Sequence, residues 1–574
     1  MKYKFNVPAA ILIFLILYIL LCGVRPLFSP DEARYVEIPR EMLENHDFVS
    51  PRLNGARYFE KPVMGYWLIA GSLKLFGETN FAARFVPGMC TGAAALIVLL
   101  LAAKMTGRKD EGWYAAGCYL LMPLVFIVGS TCTLDSIFSL FVTATVAAFY
   151  LAMEQYLAKN RWKCVLWLAI TGAAAGCAFL VKGFLAFALP VMAVLPWLLW
   201  ENRWKAIFTL PWLPFAASLI VIAPWAILIH RAEPDYWRYF VVEEHFNRFF
   251  GGAEAEHPQG PFFFFLVLLW GAAEWFLLSP AIGLGVKKIG FKQSWFRFLL
   301  CWFAGPFLFL SASSGKLPTY ILPCFPPLAI MISAALFRYF EERPDGKGKL
   351  FNVPLMVFAV VGIIGIPVTL AVIHYVLPKY FEINLYEKNE SWKLFVAVNA
   401  LVLTLFGAVA AFTEKHPTRK LSYFVAACFP IFVASFFVVP QSIYDARCMD
   451  TFLEECRDEI TPDTLIIAHG SNLHAIGYQY HRTELYVIFP GELTYCLTCK
   501  DAEEKDRIRN QPYTKVQQLL DANEGRPVVM FFPADRYFRH SSENKFPKPI
   551  SVRKSIPNDP ENKEADGQVL VRFQ

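Results

Sequence analysis

Asp31 and Glu32 stand side by side in FSPDEARYVEIPREM (28–42), and Glu60 and Lys61 in RYFEKPV (57–63). Asp135 closes STCTLD (130–135), Glu244, His245 and Arg248 fall in EEHFNRF (243–249), and Lys316 and Tyr320 in SGKLPTY (314–320). Carboxylates such as Asp31, Glu32, Glu60 and Asp135 orient an acceptor or hold a divalent ion through oxygen. Glu60 with His245 makes a mixed oxygen–nitrogen pair that zinc or manganese would accept. Lys61, Arg248 and Lys316, with the Tyr320 hydroxyl, suit a phosphate, because a guanidinium offers a planar bidentate fork. None of these residues is diagnostic alone, since a charge at a bilayer edge is inexpensive and serves equally as an anchor.

The elements that must position these side chains are mostly apolar. The chain is 56% hydrophobic, 16% aromatic and 18% charged, with a mean hydropathy of +0.40, whereas soluble domains carry about 25% charged residues. The fold class is therefore a polytopic α-helical membrane protein. Spans need roughly 20 apolar residues each, and the sequence offers about thirteen. They lie near 8–24, 82–103, 113–130, 134–153, 165–181, 184–200, 207–229, 261–284, 295–311, 319–337, 352–375, 392–412 and 421–440. The loops KMTGRKDEG (104–112), LAKNRWK (157–163), ENRWK (201–205), KKIGFKQSWFR (287–297), FRYFEERPDGKGK (337–349) and EKHPTRK (414–420), with MKYK at the start, are short and basic. The positive-inside rule sets them in the cytoplasm, and an odd number of spans then puts everything after 441 outside. The formal charge of +6 is mostly this topology signal and gives no reason to expect nucleic acid. The first apolar run lacks a small-residue cleavage site and reads as a retained anchor.

The candidate residues all fall on outer connections or outer span ends. The first connection, 25–80, carries EARYVEIPREMLEN, read as a surface helix, and RYFEKPVMGYWLIAGSLKLFG, read as lying along the membrane. A second runs over about 230–260, and SASSGKLPTY (311–320) is a short third. The domain division expected is a transmembrane domain, 1–440, including these connections, and a soluble α/β domain, 441–574. In the latter DTLIIAHG, ELYVIFPG, PVVMFFP and VLVRFQ read as strands and VQQLLDANEG as a helix. His469 and His474 there read as surface residues. YCLTC (495–499) is open to a Cys496–Cys499 disulfide in an oxidising compartment; a lone CxxC has too few ligands for a closed zinc site. No glycine-rich phosphate loop, GxSxG elbow or HExxH is present, against nucleotide-driven transport, a nucleotide cofactor and common hydrolase chemistry. Phosphate recognition at a membrane surface points to a lipid phosphate. Anchoring to anionic headgroups does not explain carboxylates set among the cations.

PDEARYVEIPREML followed by RYFEKPVMGYW, with EEHFNRF and SGKLPTYILPCFPPLA later, resembles the lipid A aminoarabinose transferases, the undecaprenyl-phosphate 4-amino-4-deoxy-L-arabinose transferases of Gram-negative inner membranes. VKGFLAFALPVMAVLPW (181–197), AEPDYW (232–237) and PGELTYCL (490–497) extend the similarity through most of the chain. The resemblance implies the C-type glycosyltransferase fold shared with protein O-mannosyltransferases. It implies Asp31 as the first catalytic candidate, with Glu32 and Asp135 beside it. Lys61 and Arg248 match positions that hold the lipid phosphate, Tyr320 one that closes on the donor, and Tyr35 and Lys182 the cavity wall. Glu60 and His245 match a metal-binding pair of the family. Ala33 stands where members typically have Thr, and Glu243 where a more apolar residue precedes the Glu-His pair.

The reaction this implies moves an aminosugar from undecaprenyl phosphate to a phosphate of lipid A at the outer face, with inversion, by a monomer among membrane lipids. The alternatives are another polyprenyl-phosphate-sugar transferase of the same fold, acting on another sugar or a protein hydroxyl, and a transporter. Transporters often show internal repeats and midplane charges, which the sequence does not.

Overall fold

The computed structural model describes residues 6–247, 257–343, 345–346, 348–377, 379, 386, 388–483, 485–488, 514–543, 545–555 and 567–573. Its first helices are α1 (Val7–Leu21), α2 (Asp31–Asn45), α3 (Met64–Phe76), α4 (Asn80–Thr106), α5 (Lys109–Leu120), α6 (Pro123–Gly129), α7 (Asp135–Leu157), α8 (Arg161–Lys182) and α9 (Leu185–Trp200). The chain divides into two compact units: Met1–Val24, Arg84–Asn384 and Ser391–Val438 form one, and Arg25–Ala83, Leu385–Glu390 and Val439–Gln574 the other.

The first unit is the helical bundle. Among the described residues eight helices are long and apolar enough to cross a membrane, or nine if α5 and α6, bent by 68°, count as one span. The count read from sequence is larger because it includes α1 and α9, which have only 15 and 16 residues. It also includes 261–284, which is broken here into Phe263–Gly271, Ala273–Leu277 and Ser279–Ile289, and 421–440, whose helix Pro417–Ser435 is not among the eight. α8 packs closely on the helix Trp212–Ala232 through GAAAG (172–176). A Cβ on Gly172 would lie 2.2 Å from the Pro214 carbonyl oxygen, and one on Gly176 would lie 2.8 Å from Val221 Cβ. Small residues four apart are the usual means of bringing two apolar helices together where burial offers little driving force. This contact fixes the line of α8 and hence the position of Lys182 at its end.

The second unit joins α2, α3 and the hairpin β1 (Arg52–Leu53) and β2 (Ala56–Arg57) to the C-terminal α/β layers. Residues 25–83 thus group with the C-terminal segment, whereas the sequence reading put them with the bundle. The physical reason is burial. α2 was read as a surface helix, yet Glu32 through Met42 include ten buried residues, and its buried carboxylates have partners within the unit. Arg40 donates to both oxygens of Glu37 at 2.7 Å and to Glu44 at 2.6 Å. Glu41 accepts the backbone N–H groups of Asn54 and Gly55 in the Asn-Gly turn of the hairpin, a turn that requires positive φ at both residues. Asn54 in turn exchanges hydrogen bonds with the Leu485 backbone.

The sheet of this unit has the order β4-β3-β5-β7-β6, with β3 (Leu465–His469), β4 (Tyr486–Ile488), β5 (Val528–Pro533), β6 (Ser551–Lys554) and β7 (Gln568–Arg572). β4, β3 and β5 run parallel, and β7 pairs antiparallel with β5 and β6. β3 is buried along its whole length, as parallel strands covered on both faces are. Leu465, Ile467, Val528, Met530, Phe532, Val569 and Val571 pack under Val516, Leu519 and Leu520 of the helix Thr514–Ala522. His469 and His474, expected at the surface, are buried at 5% and 3% exposure. His469 ends a central strand, and His474 faces inward on the helix Leu473–Tyr480. The Cys496–Cys499 pair lies outside the described residues.

Candidate active site

In the second unit Asp31 opens α2, where a carboxylate is favoured by the helix amino end. Its side chain keeps 63% of its surface exposed, and the buried Arg34 donates to it at 2.8 Å. The Arg34 guanidinium also lies over the Tyr35 ring, 4.9 Å from its centroid, and Tyr35 stacks on Tyr66 at 6.4 Å. Glu32 points the other way. It is buried, accepts the Phe28 N–H at 2.9 Å and lies 3.5 Å from Arg25. The Tyr58 hydroxyl donates to Glu60 at 2.6 Å, and Lys61 Nζ donates to the Glu60 carbonyl at 3.1 Å. Burial holds the Tyr58 phenol well above its ordinary range despite the nearby Arg34. Asp31, Tyr35, Glu60 and Lys61 are therefore linked through Arg34 and Tyr58, two residues to which sequence reasoning gave no role. The Arg at three positions past an Asp in a helix was the available signal for the first. Tyr58 offered none beyond lying two residues before Glu60.

In the first unit Asp135 opens α7 and Lys182 ends α8. Their side chains meet at 2.7 Å, with 12% and 10% of their surfaces exposed. Lys182 Nζ also sits 5.3 Å from the Tyr320 ring centroid, a cation–π contact. Gly183 follows with φ +69°, and a Cβ there would lie 2.5 Å from His245 Nε2 and 2.6 Å from Phe240. The bare backbone at this position lets the Phe184 N–H donate to His245 Nε2 at 3.3 Å, while His245 Nδ1 bonds the Phe240 carbonyl at 2.6 Å. That pairing assigns the proton to Nδ1. His245 lies in a π-helical stretch, Tyr239–Asn247, an element frequent at functional sites. Asp135, Lys182 and Tyr320 are thus one cluster, joined to His245 through Gly183 and Phe184.

Lys316 is nearly fully buried, and its ammonium donates to the carbonyls of Gln259 (3.0 Å) and Ser313. Loss of solvent lowers its pKa. It lines a cavity of about 480 Å³ with Gln259, Ser311, Ser313 and Ser314. Arg248 lies outside the described residues. Among the described residues no group of three or more His, Cys, Asp and Glu side chains is placed to hold a metal. The His245 Nε2 lone pair faces the Phe184 N–H, and Glu60 accepts from Tyr58.

A helical bundle of this kind defines a class. The crystal structures of ArnT from Cupriavidus metallidurans, bound to undecaprenyl phosphate and in the apo state, each superpose with a TM-score of 0.79. The alignments cover 99% of this chain and 98% of that one at 20% identity. Residues 4–240 match the family described as dolichyl-phosphate-mannose-protein mannosyltransferase. The chain thus has the fold of these structures and, over its first part, matches a family of mannosyltransferases. Its sequence is 34% identical over 515 residues to the undecaprenyl phosphate-alpha-4-amino-4-deoxy-L-arabinose arabinosyl transferase of Shewanella sediminis, covering 88% of this chain and 90% of that one. The protein of the same name from Aeromonas salmonicida is 33% identical over 533 residues, covering 92% and 93%. The chain belongs to this family of arabinosyl transferases.

Proposed function

We propose that the protein transfers 4-amino-4-deoxy-L-arabinose from undecaprenyl phosphate to a phosphate of lipid A, with inversion at the sugar carbon. The observation that carries this reading is the solvent-facing Asp31, fixed by Arg34, in a chain of a family named for that donor. A phosphate monoester has its second pKa near about 6, as in phosphoserine, and is largely dianionic at neutral pH. An acceptor oxygen of that group attacks the anomeric carbon. The bond from that carbon to the donor phosphate oxygen breaks, and undecaprenyl phosphate leaves with the electron pair. Little deprotonation is needed. Asp31 orients the acceptor and stabilises positive charge developing on the sugar, and Lys61 with Arg248 neutralises the leaving phosphate. Asp135, Lys182 and Tyr320 form the wall against which the donor is held. Lys316, tied to two carbonyls, fixes the 257–261 segment rather than serving as a free cation, and Glu32 holds the entry to α2.

In this reading α1, α9 and the helices at 261–284 and 421–440 complete about thirteen spans of a monomer in a Gram-negative inner membrane. The basic loops and the N-terminus face the cytoplasm, and the C-terminal segment, 441–574, lies on the periplasmic side. The family match over 4–240 supports a second reading, a protein hydroxyl as acceptor, which requires a true general base. Mass spectrometry of lipid A decides between them. A Gram-negative strain that makes the aminoarabinose donor but lacks its own transferase is given this chain or its Asp31→Asn form. Aminoarabinose on lipid A with the wild-type chain alone is the expected result; unmodified lipid A from a membrane-inserted, well-expressed protein overturns the acceptor assignment.

A further inference from the structure

At one end of the first unit a cavity of about 650 Å³ opens among the starts of α1, α5 and the helix Pro417–Ser435. Its size is that of a small-molecule site. The wall carries Asn6, Asp110, Trp113, Tyr114, Thr418 and Arg419. Some of it is rigidly built. The Tyr114 hydroxyl donates to the Thr418 carbonyl at 2.7 Å, and His416 Nδ1 meets the Thr418 hydroxyl at 2.8 Å. Two charges in it are uncommitted: neither Arg419 nor Asp110 has a hydrogen bond or ion pair among the described residues. Glu414 lies within electrostatic reach of Arg419, but its carboxylate accepts the N–H groups of Lys415 and His416.

A half-buried guanidinium and a carboxylate, both unpaired on one cavity, call for a ligand with a phosphate and a cation of its own. Lipid is the source the surroundings favour. α1 turns Leu12, Ile13, Ile16, Leu17 and Leu20 outward, giving an acyl chain an apolar path from the cavity, and Trp113 is of the type enriched at the headgroup level. We propose that this cavity binds the headgroup of an ethanolamine phospholipid, its phosphate on Arg419 and its ammonium facing Asp110. The side chain of Asn6 is already committed to capping α1 through the Ala9 N–H, so the two charges carry the recognition. The site lies apart from Asp135, Lys182 and Tyr320, which gather where α7 begins and α8 ends, and does not depend on the sugar transferred.

Native mass spectrometry of the purified full-length protein tests this, after exchange into phosphatidylethanolamine, phosphatidylglycerol or phosphatidylcholine of equal chain length. The wild-type protein is expected to retain phosphatidylethanolamine in preference to the other two. Loss of a charge-assisted bond is worth roughly tenfold or more in affinity, so Arg419→Gln should lose phosphatidylethanolamine and phosphatidylglycerol by about that factor. Asp110→Asn should lose the preference for ethanolamine while keeping phosphatidylglycerol. Arg419→Lys, which keeps the charge without the fork, should fall between and guards against a folding defect. Equal retention of all three lipids, or no change in Arg419→Gln, overturns the proposal. Soluble glycerophosphoethanolamine competing as well as the lipid would overturn its lipid source.

Discussion

Asp31 and Glu32 are consecutive carboxylates that face opposite ways: the Asp31 side chain is 63% exposed and bonded to Arg34, and the Glu32 side chain is 3% exposed and bonded to the Phe28 N–H beside Arg25. Removing each charge should therefore have different effects. Asp31→Asn is expected to fold normally and lose transfer activity by at least about a hundredfold, the scale of a positioned polar group acting in the transition state. Glu32→Gln should instead lower the unfolding midpoint, since orphaning a buried partner costs about 1–3 kcal/mol. Turnover and thermal unfolding measured on both variants check this; equal loss of activity at unchanged stability would make Glu32 catalytic as well.

The Asp135–Lys182 pair is nearly buried, and breaking such a pair leaves one charge uncompensated. Asp135→Asn and Lys182→Met should each destabilise the protein, and the double variant should recover part of the loss, with a coupling of about 2 kcal/mol. Activity should not recover with stability. Additive losses in a double-mutant cycle would show that the two side chains do not interact.

Gly183→Ala sets a methyl group against His245 and Phe240 at positive φ. It should displace the π-helical segment and reduce turnover with a raised donor KM. Gly71→Ala is the control, since a Cβ there meets nothing within 4 Å and Ala is the better helix former by up to about 1 kcal/mol. Its stability should be equal or higher. A harmless Gly183→Ala would mean that the approach of His245 to this backbone is not needed.

His469 and His474 titrate low, at about 4 and about 3. Burial is the larger cause for both, followed by Arg536 for the first and Arg34 for the second. Asp535 opposes the shift of His469. The unfolded chain takes up protons near the ordinary histidine value of about 6.5, while the folded unit does not. The stability from keeping both neutral is therefore present above about pH 6.5 and is lost as pH falls toward 4, at up to about 1.4 kcal/mol per histidine per pH unit. Thermal unfolding followed from pH 7.5 to 5 should show this slope, and His474→Leu should flatten it. An unchanged slope would assign the acid sensitivity to other groups.

Much of the architecture was legible because burial leaves a periodic or compositional mark. The apolar runs marked the helices, and LIIAH, YVI and VVMFFP marked strands by their β-branched and aromatic content. Helix breaks inside apolar runs, as at Ala272 between Phe263–Gly271 and Ala273–Leu277, leave no such mark. α2 was misjudged for a related reason: Glu37, Arg40 and Glu41 look solvated in a sequence, and only the Asn54–Gly55 turn and the Arg40 fork show how they are buried. The site was legible as residue types. Which carboxylate faces solvent, and that Lys316 is tied to carbonyls, depended on partners far along the chain or on backbone groups that carry no residue signature.

The second unit is drawn from separate stretches of the sequence, chiefly Arg25–Ala83 and Val439–Gln574. On the ribosome the first piece is made hundreds of residues before the strands it will pack with. The charges α2 must bury already have partners within that early piece: Arg40 for Glu37, and the Asn54–Gly55 turn for Glu41. The segment can leave the translocon with those buried charges already paired. Contacts such as Asn54 with Leu485, the Leu27 N–H with Asp450 and Glu78 with His481 wait for the end of synthesis.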